Sequence, residues 1–145
     1  MHRLKSLLDQ LEQEKERDRF SSILDEVIRS CVQIGEREDE IKEEMKLLDK
    51  IYQFCVREGK DIIFSFWIKR EHDKLIYQQG INEKVDITMM ITRDSLLKAL
   101  KREVYLTDYY MRGMIELEGD FYEIIKFRNF FQFLLEYFSR KRKAR

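Results

Sequence analysis

The spacing of apolar positions changes from helical to alternating and back along these 145 residues. Leu4, Leu7, Leu8 and Leu11 recur at intervals of three and four, and Glu12–Arg19 is almost continuously charged. A second stripe then runs through Phe20, Ile23, Leu24, Val27, Ile28 and Cys31. Such intervals gather apolar side chains on one side of a helix. They fit one long helix, or two helices broken near Ser21-Ser22 with Ser22 as cap, and Gly35 supplies a C-terminal stop. Glu36–Asp49 predicts a shorter helix with an acidic start and Ile41, Met45 and Leu48 on one face.

Near Ile51 the period drops to two. Tyr52, Phe54 and Val56 alternate with Gln53, Cys55 and Arg57, and Gly59-Lys60 provides a turn. In Asp61–Lys69 one face carries Ile62, Phe64, Phe66 and Ile68, while Ile63 and Trp67 make the other partly apolar. Lys74–Gln79 and Val85–Ile91 predict two more strands. The segments between them, Arg70–Asp73 and Gly80–Lys84, are polar and short enough for hairpins.

Thr92 or Asp94 starts a helix with Leu96, Leu97 and Leu100 inward, followed by a loose segment. A strand, Met114–Glu118, lies between Gly113 and Gly119, and Asp120 opens a segment dense in aromatics that reaches Phe138. A helix apolar over most of its circumference needs more than one buried neighbour. A core, a partner chain or a bound apolar molecule would each supply the cover. Strands bunched together instead of alternating with helices define an α+β fold. The order is helices, a run of about four antiparallel strands, a helical crossover, one last strand and a last helix.

Composition narrows the function classes. Lys and Arg balance Asp and Glu at 28 each, so no global field draws the chain to nucleic acid. The basic cluster at Arg140–Arg145 lacks interleaved aromatics, and nucleic-acid binding is not expected. No apolar run reaches the length of a membrane span, the start does not resemble a secretory leader, and the end carries no peroxisomal or prenylation signal. The expected location is cytoplasmic. Cys31 and Cys55 are too few for a disulfide framework or zinc site, and behave as small reduced hydrophobes. His2 and His72 have no partner spacing for a metal or a catalytic triad. There is no phosphate-cradling glycine loop and no nucleophile elbow. No catalytic residue, metal or cofactor is expected.

Four marks, taken in order, resemble the sterol carrier protein (SCP-2-like) family of lipid-binding domains. An aromatic-rich hairpin, Tyr52–Lys69, follows the opening helices. Next come the strand Val85-Asp86-Ile87-Thr88-Met89 and the helix Asp94-Ser95-Leu96-Leu97-Lys98-Ala99-Leu100. Last is Tyr110-Met111-Arg112-Gly113-Met114-Ile115-Glu116-Leu117-Glu118-Gly119-Asp120, a glycine–strand–glycine segment leading into a final helix. The resemblance covers roughly residues 36–138. It implies a mainly antiparallel five-stranded sheet with helices packed on one face, a hydrophobic tunnel between sheet and helices, and no catalysis by the domain itself. Tyr109 stands where the family usually has a small residue and would fill part of that tunnel. Lys101-Arg102-Glu103 replace the usual glycine after the crossover helix.

The expected organisation is an N-terminal helical extension over 1–19, a lipid-binding domain over 20–138 and a basic tail over 139–145. The inward residues Phe64, Phe66, Ile87, Met89, Leu97, Leu100, Met111, Ile124, Phe127 and Phe131 suit a solid core and an apolar pocket equally well. The resemblance implies that they line a tunnel for a fatty acyl chain, sterol-like or isoprenoid lipid, which the domain transfers or presents. Arg128 falls inside the apolar arc of the last helix. It must snorkel, pair with a local Glu, or meet a ligand headgroup. Tyr122, Phe130, Phe133 and Tyr137 are expected on the opposite side as a patch needing cover. Packing against the N-terminal helices, a homodimer or transient membrane contact would each provide it. The competing reading is an interaction or dimerisation scaffold of the same fold with a filled interior.

Overall fold

The computed structural model describes residues 2–72, 74–100, 108, 111–120, 122, 123, 125, 126, 129, 130 and 133; the side chains of residues 2–5, 34 and 100 lie outside that description. Three helices come first: α1 His2–Gln13, α2 Arg17–Arg37 and α3 Asp39–Met45. The strands are β1 Ile51–Glu58, β2 Asp61–Glu71, β3 Lys74–Gln79, β4 Ile87–Thr92 and β5 Ile115–Glu118, with α4 Arg93–Leu100 between the last two. The described residues between 122 and 133 are helical.

The break between α1 and α2 falls at residues 14–16, not at Ser21-Ser22. That stretch is charged throughout and offers nothing to bury, so the chain turns there and α2 begins ahead of Phe20. Leu11 and Phe20 are then fully enclosed from the two sides of the turn. Ser22 is an exposed helical residue. Ser21 instead donates its hydroxyl to the Ile63 carbonyl at 2.7 Å. Ile63 is the extra residue of a bulge between the pairs Val56–Phe64 and Arg57–Ile62. A bulge leaves a backbone group outside the ladder, and α2 supplies its partner.

Gly35 does not end its helix, which runs on to Arg37. It is buried, and a Cβ there would stand 3.2 Å from Cγ2 of Ile41, so the missing side chain lets α3 pack close. At Asp39–Met45, α3 is shorter than the pattern predicts, with Ile41 and Met45 inward.

The strand order is β3-β2-β1-β4-β5. Pairs β1–β2, β2–β3 and β4–β5 are antiparallel, whereas β1 and β4 run parallel. The fold is therefore α+β with a mostly antiparallel five-stranded sheet. Gly80–Lys84 is not a hairpin, because β4 pairs with β1 and not with β3. The chain crosses the sheet instead, and Gln53 fastens the crossing. Its amide nitrogen donates to the carbonyls of Phe66 at 2.9 Å and Gly80 at 3.0 Å, and its oxygen accepts from the Asn82 N–H at 2.8 Å. Asp86 closes the crossing: its N–H donates to the Ile51 carbonyl while its carboxylate accepts from the Ile51 N–H. Val85 and Asp86 are used in this connection, so β4 starts at Ile87.

The β2–β3 turn places only residues 72 and 73 between the paired Glu71 and Lys74. His72 takes φ 58°, the left-handed conformation that two-residue hairpins demand. Thr92 caps α4, accepting the Ser95 N–H on its hydroxyl oxygen at 3.1 Å.

Candidate functional site

Pairing registers put three apolar rows on one face of the sheet. Ile68, Tyr52 and Ile87 form the first; Phe66, Phe54, Met89 and Leu117 the second; Phe64, Val56, Ile91 and Ile115 the third. Side chains alternate across a strand, so this face is set by the even positions of β1. It belongs to one apolar cluster with Leu7 and Leu11 of α1, Leu24 and Val27 of α2, Ile41 of α3, and Leu96 and Ala99 of α4. All the helices contributing to that cluster therefore lie on the same side. Phe54 and Phe66 stack at 4.7 Å between ring centroids, and the Tyr77 ring meets Phe66 tilted at 5.4 Å.

The predicted lining residues separate on this frame. Phe64, Ile87 and Met89 are buried on the helix-covered face, and Phe66 and Leu97 pack against the same cluster while keeping accessible surface. Met111 does not join them: it is 78 % exposed, beside the turn at Gly113 that precedes β5. Helical residues before a glycine turn need not face the core, and sequence spacing alone cannot phase so short a piece. The side chain of Leu100, together with Ile124, Phe127, Arg128 and Phe131, lies outside the described residues, as do Tyr109, Lys101-Arg102-Glu103, Tyr137 and the basic tail.

The described part of the last helix turns Glu123 and Phe130 toward the core. Asp120 caps it, accepting the N–H groups of Tyr122 at 3.0 Å and Glu123 at 3.3 Å. Of the aromatics expected to need cover, Phe130 is buried and Phe133 half-buried against the core within the chain, and Tyr122 remains exposed. Glu123 and Phe130 stand two helical turns apart and both turn inward, whereas a glutamate beside aromatics reads as an outer residue.

Glu123 is the polar group that sequence reasoning missed. Its carboxylate accepts the Tyr52 hydroxyl at 3.3 Å and the Lys126 ammonium at 3.1 Å. Asp49 stands 3.9 Å from the same ammonium. Tyr52 belongs to the first apolar row and is enclosed, and its phenol is pushed above its ordinary range by burial, then by the charge of Glu123. The phenol therefore stays a proton donor. The signal in the sequence was a lone Glu between Phe121 and Ile124, on an otherwise apolar arc.

At the opposite end, Arg93 at the start of α4 ties the N-terminal helices to the sheet. It donates to the carbonyls of Glu14 and Lys15, just past the C-terminus of α1, and to Glu58 at 3.0 Å. Its guanidinium also lies 4.3 Å over the Phe20 ring. A cation suits the unsatisfied carbonyls at a helix end. Hydrogen bonds from Arg17 and then Arg93 hold the Glu58 carboxyl below its ordinary range.

Burial pushes Cys31 up to about 12, and also raises Cys55 on the other face of the sheet. Among the described residues no three His, Cys, Asp or Glu side chains gather as a metal site, and no helix is long and apolar enough to cross a membrane. A separate surface cleft of about 210 Å³, lined by Asp39, Lys42, Glu43, Met45, Lys46, Arg70 and His72, mixes charges of both signs.

Comparison with known proteins agrees with this architecture. The model of the SCP-2 sterol transfer family matches residues 32–132, and the chain belongs to that family. Sterol carrier protein 2 from Yarrowia lipolytica, in its apo form, superposes with a TM-score of 0.60 at 17% identity, covering 77% of this chain and 88% of that one. The sterol carrier protein domain 2 of Helicoverpa armigera gives 0.61 at 17% identity, over 77% and 87%. A UbiJ-SCP2 ubiquinone synthesis protein gives 0.56 at 16% identity, over 84% and 96%. No curated protein sequence matches. Family and fold support lipid binding or transfer in general. The family match opens inside α2, so α1 precedes it, yet Leu7 and Leu11 are part of the common core.

Proposed function

We propose that this chain binds one apolar, chain-bearing ligand non-covalently between the helix-covered face of the sheet and the helices, and transfers or presents it. The observation that carries this reading is the accessible surface kept by Phe66 and Leu117 in the second apolar row, where Phe54 and Met89 are buried, and by Leu97 of α4, which packs against the same cluster. Apolar surface left accessible inside a layered fold is where a guest gains most. Each methylene buried there contributes about 0.8 kcal/mol, so a long tail binds well without a precise polar contact. Phe64, Phe66, Ile87, Met89 and Leu97 form the sheet and α4 sides of the site. Met111, being exposed, is left out. The chemistry asked of the domain is burial, with no bond made or broken.

Titration with a neutral pyrene-labelled hydrocarbon chain tests the reading. Saturation at one probe per chain is expected, and Leu97→Trp, which fills the space beside α4, should weaken binding about tenfold. Absence of saturable binding by the folded protein would contradict it.

A further inference from the structure

We infer that the Tyr52–Glu123 pair, where the final helix meets the first apolar row, selects a neutral lipid whose polar end donates a hydrogen bond, such as a long-chain alcohol, over a fatty carboxylate. The inference rests on the proposed apolar site and names the class of ligand it takes.

Tyr52 is flanked across the sheet by Ile68 and Ile87, and its ring is almost wholly buried, so its hydroxyl lies at one end of an apolar surface. Glu123 meets it there with only 7 % of its surface exposed. An ionised carboxylate accepts hydrogen bonds at about four lone-pair positions and donates none. The side chains of Tyr52 and Lys126 occupy one position on each oxygen, which leaves acceptor capacity beside the apolar rows. The Tyr52 bond is 3.3 Å, long for an O–H donor, so sharing Glu123 with a ligand hydroxyl disturbs little.

Charge points the same way. Glu123, Asp49 and Asp120 all act on the ammonium of Lys126, so the described carboxylates that share this cation outnumber it. A fatty carboxylate arriving here adds a fourth negative charge and has no hydrogen to give to Glu123. An alcohol brings the missing donor and no charge. Sites that hydrogen-bond a substrate hydroxyl discriminate far more sharply than apolar walls.

The experiment is competition by 1-hexadecanol and by palmitate, at pH 8, for the bound pyrene-labelled hydrocarbon, using the full chain. Hexadecanol should displace the probe at about one tenth the concentration palmitate requires. Glu123→Gln should bring the two close to parity, chiefly by improving palmitate. Lys126→Met, at a half-exposed position that leaves Glu123 in place, should widen the preference, and serves if the Gln variant does not fold. Equal or stronger displacement by palmitate, or ratios unmoved in both variants, would overturn the assignment, because a bond that merely fastens the last helix leaves ligand ratios alone. A protein that never binds the probe overturns the carrier reading and this one together, a pattern distinct from binding without selectivity.

Discussion

A Cβ built on Gly119 would stand 2.5 Å from the carbonyl oxygen of Asp86, closer than carbon and oxygen tolerate. Gly119 follows β5 at φ 135°, and Asp86 ends the crossing segment that leads into β4. The glycine therefore sets how closely the end of β5 approaches the base of β4. Strain and overpacking act together at this position. Gly119→Ala should lose about 3 kcal/mol or more of folding stability in urea titrations. Gly113, at φ 74° with open space around it, is the control. There Ala should cost only about 1 kcal/mol, the backbone penalty alone. Equal losses at the two sites would refute the close-approach explanation.

The edge strand β3 is held to α2 by Tyr77, whose hydroxyl donates to Asp25 at 2.5 Å while Arg29 donates to the other carboxylate oxygen at 3.0 Å. Burial works to raise the Asp25 carboxyl, but the hydrogen bonds from Tyr77 and Arg29 outweigh it and hold the group below its ordinary range. A carboxyl lowered on folding adds stability above its unfolded value, near pH 4, and loses it as pH falls through the folded one. Tyr77→Phe should cost about 1–2 kcal/mol at pH 7. The gap between variant and parent should narrow as pH falls below the ordinary carboxylate range and Asp25 becomes protonated. A gap that stays constant from pH 7 to acid would show that packing, not the charged bond, is what Tyr77 supplies.

Gln53 is buried on the outer face of the sheet, with its amide spent on backbone groups of β2 and the crossing segment. Gln53→Leu keeps the volume but strands the Asn82 N–H and the Gly80 carbonyl. Losses of about 2–3 kcal/mol are expected, together with faster hydrogen exchange at the Asn82 amide. Unchanged exchange there would mean that the crossing segment holds its course without Gln53.

Local chemistry made much of this legible in advance. The period-two runs located β1, β2 and β3 because their apolar residues alternate along each strand, and Thr92, Asp120 and the glycines at 113 and 119 acted through rules of caps and turns. The crossing at Gly80–Lys84 was not legible. A five-residue polar stretch suits a hairpin as well as a crossing, and only the distant pairing of Tyr52 with Ile87 decides. Gln53 carried the available hint, as a polar residue in a strand buried from Tyr52 to Val56. The break between α1 and α2 was visible as Glu12–Arg19, but serines drew attention away from it. On the candidate site, the sheet side was readable from alternation. The inward turn of Glu123 was not, since a helical wheel gives polar residues to solvent, and only the Tyr52 hydroxyl gives this one a reason to face in.

The most direct measurement is native mass spectrometry of the purified chain, with organic extraction of whatever it carries. The account predicts an added mass of one lipid per chain, released by the solvent and restored by reloading with 1-hexadecanol. A bare chain that stays bare after reloading, while folded and cooperative in urea, would contradict it and leave the apolar face as a solid core.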